Sequence, residues 1–112
     1  MQNNNRISEL IKSKVSLAPM AGITDYVLRS IVRKYSQECL LTTEMISSEF
    51  LVQNVETEIT KLDTSHHPIA YQICGHKPHL MNYSSKYLSQ FADILDINMG
   101  CPVKKVVTGQ DG

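Results

Sequence analysis

The stretch "ILDINMGCPVKKV", residues 94–106, decides how this chain folds. It opens as a short, mostly apolar run of the kind that forms a strand buried on both faces. It then breaks at Gly100 and Pro102, with Cys101 caught between the two breakers and Lys104 and Lys105 just beyond. Three similar runs lie upstream: "VSLAPM" from Val15, "CLLTTEM" from Cys39 and "PIAYQIC" from Pro68. With Ile94 as the fourth start, successive runs begin 24, 29 and 26 residues apart. Each ends at Gly, Pro or a polar residue, as the strands of a parallel sheet do.

The segments between the runs carry helical periodicity. In "TDYVLRSIVRKY", Val27, Leu28, Ile31, Val32 and Tyr35 form an apolar stripe, Thr24 offers an N-cap, and Arg33 and Lys34 suit the last turn. In "SEFLVQNVETEITKL", Leu51, Val55, Ile59 and Leu62 recur at helical spacing, with Ser48 as a candidate cap. In "KPHLMNYSSKYLSQF", Pro78 suits a first helical position. Leu80, Met81, Ser84, Tyr87, Leu88 and Phe91 would form its inner face, weakened by the polar Ser84.

The order β-α-β-α-β-α-β predicts an α/β fold with a parallel sheet. Two architectures compete. A doubly wound sheet could close within 112 residues. A (β/α)8 TIM barrel needs about 250 residues, so this chain would be its N-terminal half, with about four parallel strands and three intervening helices. No G-x-G-x-x-G follows the first run, which removes support for a Rossmann-type site. The turn-rich end "TGQDG" follows the fourth run without a covering helix and favours the half-barrel.

Composition narrows the function. Lys plus Arg and Asp plus Glu are 11 each, so the net charge is zero. A domain that grips phosphates alone shows a basic excess, so any nucleic-acid contact here is local or shared with other parts. Cys39, Cys74 and Cys101 are odd in number and lack a C-x-x-C pair, which fits reduced thiols rather than a disulfide framework. Residues 1–14 read as a polar lead-in without a signal peptide, and residues 15–112 as one partial barrel domain. No run approaches the ~20 apolar residues of a membrane span. The expectation is a soluble, cytoplasmic protein.

The unusual residues fall at the C-terminal ends of the runs, the edge where parallel α/β sheets bind ligands. Pro19, Met20, Ala21 and Gly22 end the first run, Glu44 and Met45 the second, Gln72, Cys74 and Gly75 the third, and Asp96, Asn98, Gly100 and Cys101 the fourth. Every strand must end in something polar, so position alone does not assign a site. "PMAG" lets backbone approach a flat ligand. Gln72 suits the edge of a heterocycle or a loop backbone. Cys101 has three readings: a small buried hydrophobe, a metal ligand or a catalytic thiol. "CGHKPH" offers Cys74, His76 and His79, but C-x-H-x-x-H is not a zinc spacing and Pro78 disturbs it, so no metal is expected. His66 and His67 read as surface residues. A free thiol titrates near pH 8.5, so at neutral pH it is a proton donor.

"APMAGITD" (residues 18–25), "TEMISS" (43–48), "YQICG" (71–75) and "DINMGCPVKKV" (96–106) together resemble the tRNA-dihydrouridine synthases in order and approximate spacing. The resemblance implies the N-terminal part of an FMN-binding TIM barrel. Such enzymes reduce the C5–C6 double bond of a uridine in tRNA, with NADPH as reductant. It further implies that Pro19, Met20 and Ala21 line the flavin, that Gln72 meets its ring edge, that Asn98 holds the uracil and that Cys101 is the general acid protonating C5. The family's second half-barrel and helical tRNA-binding domain would lie beyond residue 112. Two alternatives remain at this stage: a related FMN barrel acting on a free pyrimidine, and a truncated non-catalytic remnant. The oligomeric state is not legible.

Overall fold

The computed structural model describes residues 3–55, 66–102, 104, 108 and 109. The polar lead-in contains a helix, α1 (Asn3–Leu10). Strand β1 (Ser16–Leu17), helix α2 (Tyr26–Tyr35) and strand β2 (Leu40–Thr42) follow. The second run does not stay one strand. It breaks after Thr42 and resumes as β3 (Ile46–Ser47), which runs directly into α3 (Ser48–Gln53). Strand β4 (Ile69–Cys74), helix α4 (Pro78–Leu88) and strand β5 (Ile94–Ile97) complete the described elements. Ile59 and Leu62, expected on the helix after β3, lie outside the described residues.

All pairings are parallel. β1 pairs with β2, β2 and β3 both pair with β4, and β5 takes the other side of β4. β2 and β3 are two pieces of one line. Leu41 opposes Ile69 and Ile46 opposes Ile73, so five steps on one side span four on the other. That is a one-residue bulge. The sheet therefore has four strand positions in sequential order, each new strand added on the same side. A doubly wound sheet reverses its order at a switch point; this one does not. The architecture is the N-terminal portion of a (β/α)8 barrel.

Alternation along the strands separates the two faces. Leu41, Ile69, Tyr71 and Ile73 join Cys39, Leu51 and Leu88 in the buried core under α3 and α4, with Leu17, Ile46 and Leu95 packed against it. Thr42, Ala70, Gln72 and Asp96 emerge on the opposite face. β4 is buried on both sides throughout. Ser84 does not weaken α4. It is fully buried and its hydroxyl donates to the Ser48 carbonyl at 3.4 Å, so small side chains let α4 approach α3 closely. Gly75, at φ +157°, completes this junction, because a Cβ there would lie 2.1 Å from Ser48 Oγ.

Helix α2 departs most from its expected orientation. Val32 packs on the core, yet Val27, Ile31 and Tyr35 are exposed, and Arg29 and Arg33 are buried instead. The reason is hydrogen bonding. Arg29 donates to the Thr24 carbonyl at 2.7 Å. Arg33 donates through Nη1 to the carbonyls of Ser36 and Cys39, and through Nη2 to those of His66 and Pro68, all within 2.8–2.9 Å. Burial draws the Arg33 pKa below its ordinary value, and the potentials of Cys39 and Asp93 oppose that shift. His66 is also buried rather than on the surface. It stacks on Tyr26 at 4.9 Å and shares a 2.9 Å hydrogen bond with Ser30.

The caps sit one residue from their expected places. Asp25, not Thr24, caps α2, accepting from the Leu28 amide at 2.9 Å. Ser47, not Ser48, caps α3. In both cases the capping residue has the extended backbone a cap requires.

Replacing Arg33 by Met should remove four hydrogen bonds, two of them buried, and take this donor from the carbonyls of Ser36, Cys39 and His66, while Pro68 keeps the Leu41 amide. The expected destabilisation is about 3 kcal/mol or more, read as a fall in the urea midpoint. Arg33→Lys should recover only a minor part, since an ammonium lacks the planar fork that reaches both strand starts.

Candidate functional site

The C-terminal edge of the sheet is assembled from three loops. After β1, the Met20 amide donates to Thr24 Oγ1 at 3.0 Å, and the Ile23 and Thr24 amides return to the Met20 carbonyl. Thr24, fully buried, thus closes the turn rather than capping the helix. Gly22 adopts φ +72°, a conformation glycine takes without steric cost. Its amide donates to Glu44 Oε1 at 2.5 Å, which ties this loop to the bulge. Pro19, Met20 and Ala21 are held on this turn and exposed.

The bulge between β2 and β3 would strand a backbone donor on β4. Thr43 resolves this. Its hydroxyl accepts from the Gln72 amide at 3.1 Å and donates to the Glu44 carbonyl at 2.8 Å. One buried side chain thereby anchors both Gln72 and Glu44.

Gln72 and Asp96 oppose each other in register across β4 and β5, and Gln72 Nε2 donates to Asp96 Oδ2 at 2.7 Å. Asn98 Nδ2 donates to Gln72 Oε1 at 3.3 Å, and the Gly100 amide donates to Asn98 Oδ1 at 3.1 Å. The run ends one residue before Cys101, a free, half-buried thiol. Gln72 and Asn98 are therefore brought together beside the Cys101 turn. Among the described residues, no hydrogen bond joins this group to Pro19, Met20 or Ala21. Lys104 is exposed, and Lys105 lies outside the described residues. Cys74 is buried in β4, while His76 and His79 are exposed. A cavity of about 340 Å³, lined by Glu9, Lys12, Glu38, His67 and Asp93 among others, lies at the opposite end of the strands.

Asp96 and Glu44 were visible as polar strand-end residues. Their specific partners were not, because the pairings depend on strand register and on the bulge.

Fold and site define a portion of a parallel α/β barrel whose ligand edge carries a hydrogen-bonded carboxamide pair beside a free thiol. The chain belongs to the dihydrouridine synthase family, whose model, "Dihydrouridine synthase (Dus)", matches residues 16–112. It is 36% identical over 104 residues to a probable tRNA-dihydrouridine synthase of Rhizobium leguminosarum bv. phaseoli, covering 91% of this chain and 32% of that protein. It is 42% identical over 101 residues to tRNA-dihydrouridine synthase B of Pasteurella multocida, covering 86% and 30%. Probable tRNA-dihydrouridine synthase 1 of Synechocystis is 35% identical over 99 residues, covering 86% and 28%. The chain thus spans about a third of the length of these curated relatives.

Glu44→Ala should release the Gly22 amide. Hydrogen exchange at Gly22 should accelerate about tenfold or more, the cost of losing a charge-assisted bond. The Thr24 amide, held by Met20, should keep its protection.

Proposed function

We propose that this chain supplies the N-terminal part of the catalytic barrel of a tRNA-dihydrouridine synthase. In this reading residues 15–112 belong to an FMN-binding domain, with residues 1–14 as its lead-in. The reaction reduces the C5–C6 double bond of a uridine in tRNA, with NADPH as reductant, in the cytoplasm. Family membership supports the reaction class. The observation that carries the reading to these residues is the run from Gln72 through Asn98 to Gly100, which delivers two carboxamides to the turn holding Cys101.

The donor set fits a planar heterocycle. Gln72 and Asn98 each have one amide hydrogen not engaged within the run. Pro19, Met20 and Ala21 offer an exposed, mainly apolar surface. A Cβ at Gly22 or Gly100 would meet nothing within 4 Å among the described residues, so these residues leave both loops room above the strand ends. In this reading Pro19, Met20 and Ala21 line the flavin and Gln72 meets its ring edge. FMN, when bound, supplies the hydride that adds at C6 of uracil. Asn98 holds the uracil, and the Cys101 thiol gives its proton to C5. Proton donation needs a protonated, correctly placed group, and the Asn98–Gly100 bond restrains the backbone immediately before Cys101. The uridine leaves its stack to reach the site, at a cost of a few kcal/mol.

Among the described residues, no helix is long and apolar enough to cross a membrane. No metal has a role in this reading.

The test is FMN titration of the intact protein, paired with measurement of dihydrouridine in tRNA by mass spectrometry. Cys101→Ala should keep flavin affinity while uridine reduction falls by about 10² or more. Undiminished reduction in that variant would remove Cys101 from the role of acid. A protein that binds no flavin would end the reading.

A further inference from the structure

The three hydrogen bonds that link Gly100, Asn98, Gln72 and Asp96 all point the same way. We propose that Asp96 is a positioning residue, whose carboxylate fixes the direction of the Gln72 and Asn98 carboxamides beside Cys101. This rests on the flavin and uridine reading of the site.

A carboxamide has two ends of similar size, one donating and one accepting, and a half-turn exchanges them. An ionised carboxylate only accepts, and a backbone amide only donates. The run begins at a donor, the Gly100 amide, and ends at an acceptor, Asp96 Oδ2. Between them, each carboxamide can satisfy both neighbours in one orientation only. Turning Gln72 over would set its oxygen against the carboxylate and its NH2 against that of Asn98. Turning Asn98 over would set its NH2 against the Gly100 N–H and its oxygen against that of Gln72.

The two anchors are unequal. The link from Asn98 to Gln72 is long, 3.3 Å, so Gly100 holds Gln72 only loosely through Asn98. The bond from Gln72 to Asp96 is 2.7 Å and charge-assisted. Gln72 is only 7% exposed and Asp96 is half-buried, so the interaction is weakly screened. Their register pairing places the two side chains next to each other on one face. Asp96 is therefore the stronger of the two settings.

The consequence is chemical. With the direction set, the hydrogen left over on each carboxamide is a donor. That pattern meets carbonyl oxygens, which uracil and the dione ring of a flavin both carry. With the direction lost, Gln72 would offer its oxygen part of the time, and an acceptor facing an acceptor is penalised.

The experiment uses the intact protein, 15N-labelled, first without FMN. In the unaltered protein one hydrogen of each carboxamide should be shifted and slow to exchange. Asp96→Leu should abolish this for Gln72 and also disturb Asn98. Asp96→Asn, which keeps an acceptor oxygen in place, should restore most of it. Circular dichroism checks folding, and Asp96→Ala replaces the leucine variant if that fails to fold. FMN affinity should then fall about tenfold or more in Asp96→Leu and less in Asp96→Asn. Asn98 signals indifferent to the loss of the carboxylate would overturn the proposal, as would FMN affinity equal in all variants. If the amide signals respond as expected but even the unaltered protein binds no FMN, the flavin reading fails and the positioning role stands.

Discussion

Four backbone carbonyls converge on one guanidinium, and the rest of the sheet depends on that meeting. Arg33 reaches from α2 to the residues that precede β2 and β4, and holds Ser36, Cys39, His66 and Pro68 together. The need is clear from strand length. β1 has two residues and β2 three, so few ladder hydrogen bonds hold them in place. A rigid fork with fixed donor directions supplies what short ladders lack. The aspartate at the start of β5 adds a second tie at this end, since Asp93 Oδ2 accepts from the Ile69 amide at 2.8 Å and pairs with His67 at 2.6 Å.

With the strand starts fixed, the strand ends are fixed too, and there the sheet changes character. The bulge between β2 and β3 places Glu44 against the Gly22 loop and frees the Gln72 amide for Thr43. The registered pair of Gln72 and Asp96 then passes its geometry through Asn98 to Gly100. One end of the sheet is thus tied together by hydrogen bonds at the strand starts. The other presents loop backbone, amide groups and a thiol. This division of labour is that of a (β/α)8 barrel, in which one face serves stability and the other serves chemistry.

Much of this was legible in the residues. Short apolar runs ending in Gly, Pro or polar residues marked the strands, because a buried strand and its exit have opposite compositions. The same contrast singled out Gln72, Asn98 and Cys101 as candidates at the strand ends. The orientation of α2 was not legible, because Arg29 and Arg33 look like surface charges until carbonyls are available to pair with them. Caps shifted by one residue because Thr24 and Asp25, and likewise Ser47 and Ser48, are adjacent candidates. Only the backbone conformation chooses between them. The bulge was hidden because "CLLTTEM" reads as one strand ending at Glu44 and Met45, with nothing in it to show that pairing stops after Thr42 and resumes at Ile46. The partnership of Gln72 with Asp96 was hidden for a related reason. It exists only once β4 and β5 are in register, and neither residue encodes that alone.

In the proposed function this strand edge, in the intact protein, reduces a uridine of tRNA by way of a flavin and the Cys101 thiol. The most direct test is an anaerobic single turnover. The FMN-loaded protein is reduced, mixed with tRNA lacking dihydrouridine, and followed by flavin absorbance and by nucleoside mass analysis. Flavin reoxidation should match dihydrouridine formation mole for mole, and both should slow together when Cys101 is replaced by alanine. Reoxidation without dihydrouridine, or a flavin that stays reduced in the presence of tRNA, would contradict the proposed function.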